Sequence, residues 1–234
     1  ASHVVSKSHH VAEAPGWRLE LFHKNQGDLQ EKWIPFLAAH GVERVNLTMK
    51  GKEDNVARDV ALLRHHLPHL HICPHFALKS HHKGRQLEHA SNQFVEFCRR
   101  IYESSVREVL VVSGSTGTGA VPAVKKHDSV QALQKLAAVR HEMPGLGVHC
   151  AFNPYFIKPD DRAQERRRFM SKLQAGEGVL QGVYLQAGSD LCLLEDGLQF
   201  IRSVTKPSFQ IHGSIFRPSK QFLAQMKFRP WNGV

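Results

Sequence analysis

The segment "GWRLELF" (16–22) places a carboxylate, Glu20, inside a short apolar run that is typical of a buried β-strand. Desolvation penalises an ionised carboxylate, so apolar surroundings raise the pKa of such a group toward neutrality. A carboxyl that keeps its proton near neutral pH can give that proton to a substrate as a general acid. We therefore take Glu20 as a candidate catalytic acid. A salt bridge or a solvated strand end is the structural alternative.

Polar residues also end the six later β-rich runs of the chain. In each run the polar side chain falls late and a loop-forming sequence follows it. These residues are Thr48, His75, Ser113 with Ser115, Asn153, Gln186 and His212. Active-site groups of parallel barrels collect at the carboxyl ends of many strands. The pattern therefore predicts one mouth that is lined by polar groups.

The elements that must carry these residues alternate between β-rich and helix-like segments. The β-rich runs are 17–22, 44–49, 69–76, 108–115, 146–153, 182–188 and 208–216. The amphipathic, helix-like segments are 29–41, 53–67, 90–104, 128–143, 161–177 and 194–204. Strand starts recur roughly 25 to 40 residues apart, which is the length of one strand–helix unit. An α/β fold follows.

A (β/α)8 TIM-type barrel explains the polar strand ends better than an open, doubly wound sheet. Ligands of an open sheet gather mainly where the strand order reverses, whereas a closed barrel gathers groups from many strands. We predict a tail over 1–15 and one barrel domain over 16–234. After residue 216 only the helix-like "SKQFLAQMKF" and then "RPWNGV" remain. The eighth unit is therefore expected to be missing or to lie outside this chain.

Composition indicates a globular, soluble protein with no membrane span. Of the 234 residues 41% are hydrophobic and 22% are charged, and no apolar run approaches the roughly 20 residues that a span needs. The net charge of +10 suits anionic ligands or the mitochondrial matrix. The arginine-rich "RAQERRRF" (162–169) is interpreted as the solvated face of a helix, so nucleic acid is not favoured as a partner.

The cysteines and histidines suggest neither a disulfide framework nor a metal centre. Four cysteines lie far apart and mostly in apolar runs, which predicts buried free thiols in a reducing compartment, the cytoplasm or the mitochondrial matrix. In "HHLPHLHICPH" (65–75) the residues His71, Cys73 and His75 alternate onto one face. No second element supplies a recognisable further ligand, so no metal is predicted. The loop "GSTGTGA" (114–120) is interpreted as a flexible turn.

Short motifs recur in a familiar order along the chain. They are "ELF" (20–22), "LT" (47–48) with "ARD" (57–59), "PHFA" (74–77), "NPYF" (153–156) with "KLQAG" (172–176), "LQAGSD" (185–190) and "IHGSI" (211–215). In order and spacing this set resembles the methylenetetrahydrofolate reductase family. The family is built on a (β/α)8 barrel that carries FAD and reduces 5,10-methylenetetrahydrofolate to 5-methyltetrahydrofolate with NAD(P)H.

The resemblance implies a role for each matching residue. Glu20 would donate the proton that opens the five-membered ring of the folate, which generates the iminium that accepts hydride. Gln186 would orient the pterin, because an amide offers both a donor and an acceptor, and Ser115 takes the place of a substrate-binding aspartate. The implied cofactor-binding residues are Thr48, His75, Ser113, Asn153, Arg168 and Lys172.

The chain also departs from the family pattern at the fourth strand. Ser113 stands where the family has an arginine that helps to hold FAD, and Ser115 stands where it has an aspartate. Two alternatives stay open for this reason. One is a flavin-free reductase that passes hydride directly from nicotinamide to folate. The other is a catalytically degenerate barrel that serves as a structural or regulatory subunit of a larger assembly, with protein partners or as a homo-oligomer.

Overall fold

The computed structural model describes residues 16–48, 56–81, 87–113 and 129–215 of the chain. The predicted tail, the "GSTGTGA" loop with Ser115, and the segment after residue 215 lie outside these ranges. The predicted domain limits therefore stay a prediction.

Seven strands form the sheet within the described residues. They are β1 (Leu19–Leu21), β2 (Arg44–Leu47), β3 (His71–Ala77), β4 (Glu108–Val112), β5 (Gly147–Phe152), β6 (Leu180–Leu185) and β7 (Gln210–His212). Each overlaps one of the seven predicted β-rich runs. The alternation of strands and helices that the sequence predicts is therefore confirmed.

Helices connect the strands. They are α1 (Gln26–Asp28), a π-helical turn (Leu29–Trp33), α2 (Ile34–Ala39), α3 (Val56–His66), α4 (Leu87–Glu103), α5 (Ser129–Ala138), α6 (Pro159–Ala175) and α7 (Leu191–Val204). Short 3₁₀ turns cover Leu78–His81 and Arg140–Glu142. The arginine-rich segment lies on α6, as the sequence predicts.

Local chemistry explains where several helices begin and end. Pro159 occupies the first turn of α6, where its missing N–H costs no hydrogen bond. Asp190 caps α7 by accepting a hydrogen bond from the Leu193 N–H at 3.0 Å. After α2 the chain turns at Gly41, whose φ of 58° lies in the left-handed region that favours glycine.

The sheet is all-parallel and its strands follow one another in chain order, from β1 to β7. A doubly wound sheet would reverse this order at a switch point, and this sheet contains no reversal among the described strands. Right-handed crossovers that always advance in one direction place all the helices on the same face. The opposite face is covered only when the sheet curls around it.

Two side-chain contacts show that the sheet curls. The Tyr184 hydroxyl on β6 donates to Asn46 Oδ1 on β2 at 3.0 Å. These strands are four apart, so a flat sheet would separate them by about 19 Å. Arg18, just before β1, likewise reaches Glu108 on β4. The fold is an α/β fold with a curled seven-stranded parallel sheet, compatible with a TIM-type barrel.

The main core lies on the convex side, between the sheet and the helices. Phe76 of β3 packs against Phe94 and Phe97 of α4 at ring-centroid distances of 5.3 and 5.0 Å. A second apolar group joins β5 and β6 to α6 and α7 around Phe152 and Phe169. The concave side holds a much smaller apolar group.

The thiols follow the sequence prediction with one exception. All four cysteines are free, and Cys73, Cys98 and Cys150 are buried. Cys192 is exposed near the start of α7, because it lies on the solvent side of that helix. Within the described ranges, no helix combines the length and the apolar character that crossing a membrane requires.

Candidate functional site at the carboxyl ends of the strands

The concave face is built from alternate residues of each strand. Glu20 pairs in register with Asn46, and Asn46 pairs with Cys73. Neighbouring residues in register point to the same side of a sheet. Asn46 and Cys73 lie close to Tyr184 across the interior, so Glu20 is also on the inner face. Gln186 follows Tyr184 by two residues and shares that face.

An ion pair and a hydrogen bond cross the concave face below the strand ends. We call the residues that form them, Arg18 with Glu108 and Tyr184 with Asn46, the floor of the site. Arg18 Nη2 donates to Glu108 Oε2 at 2.5 Å, and the arginine side chain is only 10% exposed. Tyr184 and Asn46 are both buried where their side chains meet. Continuing two residues toward the strand ends leads from Arg18 to Glu20 and from Tyr184 to Gln186. The predicted acid and the predicted amide therefore lie one inward position above the floor.

Three histidines surround Tyr184 within the interior. Its ring stacks on His212 of β7 at 4.4 Å between centroids, and His149 of β5 and His75 of β3 meet it edge-on at 5.5 and 6.2 Å. His149 and His212 also meet each other at 5.0 Å. TIM barrels usually fill this space with bulky apolar side chains. The polar filling sets this interior apart.

Burial keeps the three imidazoles neutral. Desolvation lowers the pKa of His75 to about 4 and that of His212 to about 4. It lowers the pKa of His149 to about 3, with further contributions from His212, Arg18 and His75. A second positive charge beside Arg18 in this enclosed space would be unfavourable. Burial also raises the pKa of the Cys73 thiol to about 12, so that thiol stays protonated.

Several interior nitrogens are buried without a hydrogen-bond partner among the described residues. They are Arg18 Nη1, His75 Nε2 and both ring nitrogens of His149. Within the described ranges, no three side chains of the histidine, cysteine, aspartate or glutamate type come together in a way that could hold a metal ion.

Glu20 combines solvent access with partial desolvation. Its side chain is exposed at the end of β1, yet the surrounding wall of the curled sheet raises the pKa of its carboxyl above the ordinary value. Burial is the only cause that raises this pKa, and no cation opposes it. The two observations agree, because a concave rim leaves a group reachable while protein replaces part of its water. This environment suits a proton donor.

Gln186 is half-buried at the opposite part of the face. Its backbone N–H donates to the Phe152 carbonyl at 2.9 Å, which extends the pairing of β6 with β5 beyond the end of the strand. The backbone at Gln186 is therefore fixed, and its side chain follows the inward series of β6.

Four of the predicted cofactor contacts already form bonds within the protein. The Thr48 hydroxyl donates to the Leu21 carbonyl at 2.9 Å. Lys172 is buried between α6 and β5, and its Nζ donates to the Ala151 carbonyl at 2.6 Å. The remaining two bonds join the Asn153 Oδ1 to the Tyr155 N–H at 2.9 Å and the Ser113 hydroxyl to Ser129 at 3.4 Å.

The two other predicted cofactor contacts differ in their positions. His75 lies in the interior cluster, and Arg168 is half-buried on α6. Thr48, Lys172, Asn153 and Ser113 each form an internal bond, so a flavin at these residues would have to use their remaining hydrogen-bonding groups or displace those bonds. The predicted contact at Ser115 lies outside the described residues.

Sequence reasoning missed the floor of the site. Arg18, Asn46, Glu108, His149 and Tyr184 were not among the predicted site residues. The period of two along a strand carries the missing signal, because Arg18, Asn46 and Tyr184 each precede a predicted residue by two positions. Their partners across the interior depend on the curl of the sheet, which one sequence does not reveal.

Comparison with known proteins supports the fold and leaves the activity open. No protein-family model matches the chain, and no curated protein matches it. Among solved structures it is similar to a probable tagatose 6 phosphate kinase from Sinorhizobium meliloti 1021, with a TM-score of 0.56 and 10% identity. The match covers 91% of this chain and 62% of that protein.

A protein described as a lyase/mutase, from Burkholderia cenocepacia J2315, is similar to the same degree. The TM-score is 0.57 with 12% identity, over 92% of this chain and 75% of that protein. At such low identity these two similarities establish a shared TIM-barrel-like architecture and nothing about chemistry.

Proposed function

We propose that the chain is an oxidoreductase of the methylenetetrahydrofolate reductase type, built on a (β/α)8 barrel of which the described residues supply seven strands. Glu20 carries the proposal, because it is an inward carboxyl at a strand end with a pKa raised by burial alone. Gln186 on the same face supports a planar substrate with donors and acceptors along one edge. The polar strand ends and the ordered motifs of the sequence add to this support.

The proposed reaction uses one proton and one hydride. Glu20 gives its proton to the ring nitrogen that leaves when the five-membered ring of methylenetetrahydrofolate opens. The resulting iminium accepts a hydride from NAD(P)H, which becomes NAD(P)⁺, and the product is 5-methyltetrahydrofolate. Water then returns a proton to the Glu20 carboxylate, which the exposure of this residue permits. Gln186 holds the pterin while these transfers occur.

The hydride route is proposed to be direct, from nicotinamide to substrate. The internal bonds of Thr48, Ser113, Asn153 and Lys172 favour this route over one through FAD. The visible absorption spectrum of the purified protein after incubation with FAD distinguishes the two routes. We expect no retained flavin band. A stoichiometric visible band of oxidised flavin would restore the flavin route.

Replacement of Glu20 by Gln tests the function. We expect Glu20→Gln to reduce folate-dependent oxidation of NAD(P)H by about 100-fold or more, the range of general acid catalysis, with folate binding retained. The matched control is Glu103→Gln, at an exposed carboxylate at the end of α4, which should leave the rate unchanged. Equal rates in the two variants would remove the proposal, as would a wild-type protein that never oxidises NAD(P)H.

A non-catalytic role as a structural or regulatory subunit is the second candidate. Large apolar side chains are exposed beside both outer strands of the sheet: Trp17 at 80% and Phe22 at 67% next to β1, and Ile215 at 83% after β7. A partner protein could cover such a surface. The mass of the native protein in its source extract tests this role. A stable heteromeric complex without folate-dependent activity would favour it over the reductase.

A further inference from the structure

The hydrogen bond between Tyr184 and Asn46 lies at a decisive place in the curled sheet. Asn46 is the register partner of Glu20 on the neighbouring strand, and Tyr184 precedes Gln186 by two residues on β6. Both members are buried, at 7% and 8% exposure, and the donor–acceptor distance is 3.0 Å. The bond is thus a short link between the strand region of the acid and the strand region of the amide.

The surroundings of Tyr184 leave its ring little freedom. His212 stacks on one face, and His149 approaches edge-on. Because the ring is held in this way, the hydroxyl meets Asn46 in a fixed direction. A hydrogen bond in such a low-dielectric interior is stronger than one in water, and its loss deprives the buried Asn46 oxygen of this donor, whereas the hydroxyl still has the Cys73 thiol beside it.

We infer that Asn46 and Tyr184 are positioning residues that set the separation of Glu20 and Gln186 across the mouth. Neither is proposed to touch the reacting atoms. This inference rests on the proposed function for its kinetic consequence, although the geometric consequence holds for any role of the mouth. Since small misplacements of reacting groups reduce rates strongly, loss of the bond should lower kcat more than it changes KM.

The test compares two ways of breaking the bond with one matched control. Tyr184→Phe removes only the hydroxyl, and Asn46→Leu removes the acceptor at similar volume. Tyr102→Phe is the control, because the Tyr102 hydroxyl donates to the Pro144 carbonyl at 3.2 Å on the exposed outer side. We expect each of the first two variants to lose about 10-fold to 100-fold in kcat/KM. The control should stay within about twofold of wild type.

The double variant separates positioning from general damage. Where both substitutions break the same bond, the Asn46→Leu/Tyr184→Phe protein should be no slower than the slower single variant. Losses that multiply, or a Tyr184→Phe protein as active as the Tyr102→Phe control, would overturn the inference. Circular dichroism and thermal unfolding identify a variant that does not fold. In that case the activity of the other single variant, compared with the Tyr102→Phe control, tests the inference.

Crystal structures supply a readout that is independent of activity. The Cα separation between residues 20 and 186 should change in Tyr184→Phe and stay constant in Tyr102→Phe. An unchanged separation in Tyr184→Phe would overturn the inference even for an active reductase. If instead the separation changes while Glu20→Gln keeps full activity, the positioning role stands and the proposed function fails.

Discussion

The two faces of the curled sheet use different kinds of residue, and strand β5 shows both within six positions. Val148, Cys150 and Phe152 point to the helices and are buried in apolar clusters. Between them, His149 points inward to His212 and Tyr184. Among the described residues the convex face is therefore held mainly by apolar packing, whereas the concave face has hydrogen bonds, ring contacts and the Arg18–Glu108 ion pair beside its small apolar group.

This difference separates the requirements of the fold from those of the site. Apolar packing is non-directional and tolerates exchange among residues of similar volume. Polar contacts have a defined direction, and each unsatisfied member carries an energetic cost. A sheet with a polar interior thus accepts lower stability in return for oriented groups beneath its mouth. Substitutions on the two faces should consequently respond differently to pH and to truncation.

The largest expected effect is acid sensitivity of the concave face. The folded-state pKa values of His75, His149 and His212 lie below the ordinary value of 6.5, at about 4, 3 and 4. The unfolded chain therefore binds protons more readily than the folded protein. The stabilisation that depends on these neutral histidines is fully present above pH 6.5 and is lost as the pH falls toward 4. A tenfold difference in proton affinity between the two states corresponds to about 1.4 kcal/mol of unfolding free energy per group. His212 is only half-buried and contributes less, yet the three histidines together should lower the free energy of unfolding by several kcal/mol.

Urea unfolding at pH 7, 6 and 5 measures this effect. The chosen window lies above the range in which ordinary carboxylates titrate, so apart from Glu20, whose pKa is raised by burial, the three interior histidines dominate the slope. His149→Asn should flatten the dependence, and the exposed His141→Asn control should not. A free energy of unfolding that is constant from pH 7 to pH 5 would show that the interior imidazoles are hydrated.

Truncation on the convex face comes next in size. Phe94 is fully buried against Phe76, so Phe94→Ala should cost about 3–5 kcal/mol at every pH from 5 to 7. The control is Ile157→Ala, at a side chain that is 74% exposed, with an expected change below about 0.5 kcal/mol. If the loss of unfolding free energy in Phe94→Ala changed between pH 5 and pH 7, the two faces would not differ in their pH dependence as we expect.

Breaking the ion pair on the concave face should cost somewhat less. Arg18→Met leaves the Glu108 carboxylate, 28% exposed, without its guanidinium partner, and we expect a loss of about 3 kcal/mol. The double variant Arg18→Met/Glu108→Leu should recover part of that loss, because no charge is left unpaired. Chemical denaturation of the three proteins measures both values. A double variant that is less stable than Arg18→Met would show that the unpaired Glu108 carboxylate is hydrated and carries no penalty.

The smallest effect concerns a helix cap outside both faces. Asp190→Ala removes the acceptor for the Leu193 N–H and should destabilise the protein by about 1 kcal/mol. Asp190→Asn keeps an acceptor and serves as the control. Equal thermal unfolding midpoints for Ala and Asn would show that water replaces the cap without cost.

The strands were predictable because packing on the convex face requires apolar residues in every strand. The strand limits were less predictable, and Gly182 is instructive. The sequence predicts a strand that begins at this glycine, but β6 begins at Leu180. A Cβ at residue 182 would approach His149 Nδ1 to 2.6 Å, so the glycine inside the strand makes room for the imidazole of the neighbouring strand.

The candidate site was predictable only in part. Glu20 and Gln186 stand out as polar residues at the ends of apolar runs, and the structure places both on the inner face. The two bonds below them, Arg18–Glu108 and Tyr184–Asn46, join residues that are 90 and 138 positions apart in the chain. Such partners depend on how far the sheet curls and on the register between strands. Neither quantity is encoded in the local pattern of one sequence.

The proposed role of Glu20 as a proton donor depends on the protonation state of its carboxyl. Carbon-13 NMR of the selectively labelled carboxyl, assigned with Glu20→Gln, gives its pKa in the folded protein. We expect a value above the ordinary 4.5 for glutamate, because burial is the only cause that acts on this group. A value at or below 4.5 would rule out a desolvated carboxyl at the mouth, since it would mean that Glu20 is hydrated or paired with a cation.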